Sequence, residues 1–137
     1  MTVGEYLFVY GSLRPALAPP GLRQLVQQWH RIGAAFVQGR LYDLGDYPGA
    51  ILDAESELQI IGEIFELPDD ETVLATLDQY EGFDCDNHDA SLFVRTKCHV
   101  LLGDVRKVEC WIYVYNRETT SAKLIVNGDY LWKHKQK

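Results

Sequence analysis

Tyr6-Leu7-Phe8-Val9-Tyr10 is an unbroken apolar and aromatic run that stops at Gly11-Ser12. That is the pattern of a buried strand ending in a turn. Beyond Pro19-Pro20-Gly21, the residues Leu22, Leu25, Val26 and Trp29 recur at i, i+3, i+4 and i+7, which puts one apolar stripe on a short helix that can pack on a sheet. Residues 34–44 read as a further strand, with Gly39 marking a bulge. The turn Gly45-Asp46-Tyr47-Pro48-Gly49 follows, and Ala50-Ile51-Leu52 resumes an extended course. Between Leu58 and Leu67, Ile60, Gly62, Ile64 and Glu66 alternate with Ile61, Glu63, Phe65 and Leu67. Both faces are therefore partly apolar, as in a curved sheet or barrel.

Pro68-Asp69-Asp70-Glu71 opens a second helix, with acidic residues where free N–H groups and the positive end of the dipole favour them. Val73, Leu74 and Leu77 form its inward face, and Gly82 fits the position just past its end. After the polar loop from Asp84 to Ser91, the runs Leu92–Leu102 and Val108–Tyr115 read as a hairpin turning at Gly103-Asp104. Asn127-Gly128 suggests one more turn, with Tyr130 and Trp132 available to tuck against the sheet. The order βαββ(β)αββ predicts about six strands and two helices in a single domain over residues 1–137. Without regular α/β alternation a doubly wound parallel sheet is not expected, and the expected class is α+β: a small mixed, curved sheet or barrel with flanking helices.

The chain has 137 residues, of which 47% are hydrophobic and 12% aromatic, enough apolar material for one core without a metal or disulfide staple. A formal charge of −7 repels nucleic acid and anionic membranes, so neither is an expected partner. The basic end, Lys133-His134-Lys135-Gln136-Lys137, reads as a solvated tail. Three cysteines, Cys85, Cys98 and Cys110, form no CxxC pair and read as reduced thiols, Cys98 and Cys110 as strand packing residues. With no signal-like segment and no membrane-length apolar run, the expected location is the cytoplasm.

Two segments carry candidate chemistry. At Tyr10-Gly11-Ser12-Leu13-Arg14 a strand breaking at glycine can turn successive backbone N–H groups toward one point, where a ligand approaches the main chain without a Cβ in its way. In Leu77-Asp78-Gln79-Tyr80-Glu81-Gly82-Phe83, Glu81 lies in the last helical turn and faces the negative end of the dipole, an unfavourable placement of about 0.3–1 kcal/mol. Burial and the dipole would both raise its pKa toward values useful for proton transfer. Asp78 could share its face, although its simpler role is to accept hydrogen bonds from nearby backbone. Cys85, Asp86, His88 and Asp89 crowd one loop, with His99 further on, but the spacing matches no zinc pattern. Nucleophilic catalysis by Ser12 or a cysteine lacks both a G-x-S-x-G elbow and an oriented histidine. No metal or other cofactor is expected.

Taken together, Leu7-Phe8-Val9-Tyr10-Gly11-Ser12-Leu13-Arg14, Gly39-Arg40-Leu41-Tyr42-Asp43-Leu44-Gly45 with Tyr47-Pro48-Gly49, Gly62-Glu63-Ile64-Phe65, Leu77–Phe83 and Cys110-Trp111-Ile112-Tyr113-Val114-Tyr115 resemble the γ-glutamylcyclotransferase-like superfamily. That superfamily includes the AIG2-like proteins and γ-glutamylamine cyclotransferases. The motifs lie in register from about residue 6 to 116 and leave the tail beyond Thr120 uncovered. The resemblance implies a small mixed β-barrel with flanking helices and a small-molecule γ-glutamyl substrate held at Tyr10, Gly11, Ser12 and Leu13. It further implies Glu81 as the sole general acid and base, releasing 5-oxoproline and an amine. It also implies an aromatic cavity residue on the late strand: Tyr115 is the first candidate and Tyr113 the second, because strand phase is open. A binding or regulatory module that keeps the cavity without turnover is the rival from another class.

Overall fold

A computed structural model describes residues 5–11, 26–45, 47–68, 70–103 and 106–130. Its strands are β1 (Tyr6–Val9), β2 (His30–Asp43), β3 (Pro48–Leu52), β4 (Gln59–Glu66), β5 (Phe93–Leu102), β6 (Arg106–Tyr115) and β7 (Lys123–Leu124), with helix α1 (Glu71–Glu81) between β4 and β5. The sheet order β3-β2-β4-β1-β6-β5 is closed by a further β2–β5 pairing at Ala35↔Leu102 and Phe36↔Leu101. The strands β2, β4, β1, β6 and β5 therefore form a barrel, mixed because β1 runs parallel to β6 and antiparallel to β4. The fold is the expected small mixed barrel.

Closure explains the unbroken apolar sequence of β1. Phe8 and Tyr10 point into the barrel with Ile60, Ile64, Val100 and Ile112. Leu7 and Val9 point outward beneath Val73 and Leu77 of α1, with Trp29 and Phe65. A strand covered on both faces has no place for polar alternation. The predicted stripe of the first helix is visible only at its end: Val26 and Trp29 are buried in the outer cluster, while Leu22 and Leu25 lie outside the described residues. Trp132 does too, whereas Tyr130 is buried inside the barrel.

Three expectations need correction. The strand predicted from Ala34 begins at His30, and its register shift falls between Arg31 and Gly33, not at Gly39. At Gly39, β2 passes from β4 (Gln38↔Gln59) to β3 (Gly39↔Leu52). A Cβ there would lie 2.4 Å from the Ile51 carbonyl oxygen, so glycine serves a close backbone crossing rather than a bulge. The short strand β7, pairing Leu124 with Tyr42, has no counterpart in the predicted elements. No helix among the described residues is long and apolar enough to cross a membrane.

Candidate active site

Helix α1 is fixed at both ends by its own sequence. Asp70 is the N-cap and accepts the Thr72 backbone N–H at 2.9 Å. Gly82 adopts φ 72°, and the Phe83 N–H returns to the Asp78 carbonyl at 2.8 Å, a glycine-closed helix end. The chain then loops through a 3-10 turn at His88–Ala90 and comes back where the Leu92 N–H bonds the Gly82 carbonyl at 3.0 Å. The buried Ser91 closes this loop by accepting the Asp84 N–H at 2.8 Å. Glu81 is thereby held at the mouth of a groove between the end of α1, the end of β1 and the start of β5.

That groove is a cavity of about 270 Å³. Tyr10 and Gly11 from the end of β1, Pro48 from β3, Phe93 from β5, Tyr113 from β6 and Glu81 all line it. Among its described lining residues Glu81 is the only carboxylate, and no thiol or imidazole accompanies it. Burial alone pushes its carboxyl up from an ordinary 4.5 to about 7, which places both protonation states within reach near neutrality. Tyr10 is buried at the back: its hydroxyl donates to the Tyr113 carbonyl and accepts the Ala50 N–H at 3.3 Å. Burial, with a smaller contribution from the Glu81 charge, holds its phenol well above the usual range. It is thus a neutral strut tying β1 to β3 and β6.

The structure brings Tyr10, Gly11 and Glu81 to one cavity, while Ser12, Leu13 and Arg14 lie outside the described residues. The reason for Gly11 changes. A Cβ on it would meet the Pro48 ring at 2.6 and 2.9 Å, so the glycine lets β1 pass the cavity's proline wall rather than leaving open space for a ligand. On β6 it is Tyr113 that lines the cavity. Tyr115 packs on Phe93 at 5.5 Å between ring centroids and touches Gly49. Being two residues apart, the two tyrosines share a face of the strand, so position along β6 and not phase separates them.

Asp78 also differs from expectation. Its partners are side chains from neighbouring strands, not backbone. Arg95 grips both of its oxygens, Nε to Oδ1 at 2.7 Å and Nη2 to Oδ2 at 3.1 Å, and the Tyr113 hydroxyl donates to Oδ1 at 2.7 Å. Sequence reasoning passed over Arg95, whose only signal was a cation at an otherwise strand-like position. In the loop considered for metal, Asp84, Cys85 and Asp86 bring one ligand atom each within 4.8 Å of one another, all exposed. His88 instead packs on the Phe83 ring at 5.4 Å, and His99 stands opposite Glu109 on the hairpin. Cys98 and Cys110 are free and face each other across β5 and β6. Burial pushes their thiols up to about 11 and about 12, so both are inert packing groups near neutral pH.

Several known proteins are similar to this chain in sequence or in fold. The family model described as gamma-glutamyl cyclotransferase, AIG2-like, matches residues 7–132. The gamma-glutamylcyclotransferase family protein YtfP of Escherichia coli is 29% identical over 130 residues, covering 94% of this chain and 98% of that protein. The crystal structure of YkqA from Bacillus subtilis superposes with a TM-score of 0.70 at 27% identity over 98% of this chain, which spans only 44% of that one. An AIG2-like protein from Mus musculus shares the fold, with a TM-score of 0.71 at 22% identity, over 94% of this chain and 89% of that one.

Proposed function

The chain belongs to the gamma-glutamyl cyclotransferase, AIG2-like family, and from that premise we propose that it cyclises a γ-glutamyl amide to 5-oxoproline with Glu81 as the only proton carrier. The observation that carries this reading is the Glu81 carboxyl, raised to about 7 by burial and set in the cavity that Tyr10 and Gly11 enter from β1.

The reaction needs little else. The ionised Glu81 takes one proton from the substrate's α-ammonium, freeing a lone pair. The amine nitrogen attacks its own γ-carbonyl and closes a five-membered ring. Glu81 passes that first proton to solvent, takes the second from the now cationic ring nitrogen and delivers it to the departing nitrogen as the C–N bond breaks, leaving 5-oxoproline and a free amine, with no water consumed. Intramolecular attack from a well-oriented conformer carries effective molarities of about 10⁵–10⁸ M, so shaping the substrate is the larger task. A cavity of about 270 Å³ walled by Phe93, Pro48 and Tyr113 suits that folding. Backbone N–H groups at the turn after Tyr10 would hold the α-carboxylate or the developing oxyanion.

Incubation with γ-glutamyl amino acids, γ-glutamylamines and glutathione, read by mass spectrometry, tests the proposal. 5-Oxoproline should appear stoichiometrically with the released amine for at least one class. Tight binding without release from any of them would favour a non-catalytic module that uses the same cavity.

A further inference from the structure

Behind the cavity wall, three side chains that acid–base chemistry at Glu81 does not use form one hydrogen-bonded chain. Arg95 on β5 grips Asp78 on α1 through two nitrogens, and Asp78 accepts the hydroxyl of Tyr113 on β6 at 2.7 Å. The guanidinium is itself wedged, 4.3 Å from the Trp111 ring centroid and 5.8 Å from that of Phe83. Arg95 and Asp78 are both largely buried, their side chains 17% and 19% exposed, so the pair is well shielded from solvent screening. The carboxylate is therefore fixed in rotation as well as in position.

A tyrosine hydroxyl has one proton and two lone pairs. At Tyr113 the proton is committed to Asp78, so only lone pairs remain for the cavity that Tyr113 lines beside Glu81. Burial first, and then the bond to Asp78, hold the phenol above its usual range, so it stays neutral. Asp78, three residues before Glu81, is engaged by Arg95 and Tyr113 and is no second proton carrier.

We infer that Asp78 and Arg95 are positioning residues that make the Tyr113 hydroxyl an obligate hydrogen-bond acceptor for the α-amino group of a γ-glutamyl ligand. This rests on the cavity reading proposed above. An acceptor there can hold one N–H of the ammonium. It keeps its hold after Glu81 has taken the transferred proton, leaving the nitrogen lone pair free to meet the γ-carbonyl.

Two unreactive probes test the assignment by calorimetry on the intact protein. S-Butyl-L-homocysteine sulfone carries the α-amino group and a sulfone in place of the γ-carbonyl. 4-(Butylsulfonyl)butanoic acid is the same chain without the amine. Wild type should prefer the amino probe. Because hydrogen bonds to charged groups are the stronger ones, Tyr113→Phe should lose about tenfold in affinity for the amino probe while binding the desamino probe as before. Asp78→Ala should reproduce that selective loss, since the Tyr113 proton then has no acceptor on α1 and is free to turn into the cavity. Arg95→Lys, which keeps the charge but not the two-pronged grip, should lie between. Tyr113→Phe removes one oxygen and keeps the packing, so the test survives if an Asp78 variant fails to fold. Equal losses for both probes, or none for either, would reduce the chain to a structural brace and overturn the inference alone. Failure of wild type to bind either probe would overturn the cavity reading and this assignment with it.

Discussion

A carboxylate at the C-terminal end of a helix meets the negative end of the dipole, and Glu81 adds burial to that. Helix α1 has no basic residue in its last turn to offset it. Because the folded chain holds the Glu81 proton more tightly than the unfolded chain, its contribution to stability is fully present below pH 4.5. It is lost as pH rises through about 7. The full shift corresponds to a loss on the order of 3 kcal/mol, less any solvent screening of this partly exposed side chain. Urea unfolding followed from pH 4.5 to 8 should show wild type losing stability relative to Glu81→Gln across that window; parallel curves would mean the carboxyl titrates normally. The family resemblance rather than any local signal made Glu81 the candidate, although its place at the helix end, where it breaks the rule for helix ends, was legible in the sequence. The cavity partner on β6 was not, since Tyr113 and Tyr115 share one face and only the height at which α1 crosses the strand selects between them. Arg95 was invisible for a related reason: an ion pair from a strand to a helix 17 residues earlier leaves no local pattern.

At the level of elements, the caps of α1 do different work despite similar energetics. Asp70→Ala should cost about 1 kcal/mol by losing the N-cap bond, and Gly82→Ala about 1–2 kcal/mol by forcing a Cβ into a left-handed residue. Only Gly82 adjoins Glu81, so turnover per folded molecule should fall in Gly82→Ala and hold in Asp70→Ala. Steady-state kinetics beside denaturant titrations would separate the two, and equal activity in both would show that the helix end does not set the geometry of Glu81. Both caps, the β5–β6 hairpin and its Gly103 turn followed from local sequence rules, because each is held by neighbours in the chain. The extension of β2 back to His30, the crossing at Gly39 and strand β7 depend on distant partners, Glu66, Ile51 and Tyr42 respectively. No window of sequence contains them.

The whole molecule is a barrel whose lumen and outer face are separate cores, and the site lies where α1 crosses the outer one. Among the described residues, closure by β2 against β5 rests on two residue pairs, and the segment after β7 adds support from the side. There the Gly128 carbonyl accepts the Ile61 N–H at 2.7 Å, and Tyr130 enters the lumen. A Cβ on Gly128 would lie 1.6 Å from the Gln59 carbonyl oxygen, at a φ of +71°. Gly128→Ala should therefore cost about 3 kcal/mol or more in urea unfolding, and a near-neutral result would show that this segment does not brace the barrel. The Asn127-Gly128 turn was readable from sequence, whereas its docking on β4 was not, since nothing local marks Gln59 as its partner. The proposed site is one buried carboxylate in a small aromatic cavity, so the most direct measurement is the rate of 5-oxoproline release by wild type and by Glu81→Gln on the preferred γ-glutamyl compound. General acid–base catalysis contributes about 10²–10⁴-fold. The Gln variant should therefore lose at least that order in kcat with little change in KM, and with it the rise in rate as pH passes through about 7. A folded Glu81→Gln protein releasing 5-oxoproline at near wild-type rate would contradict the account.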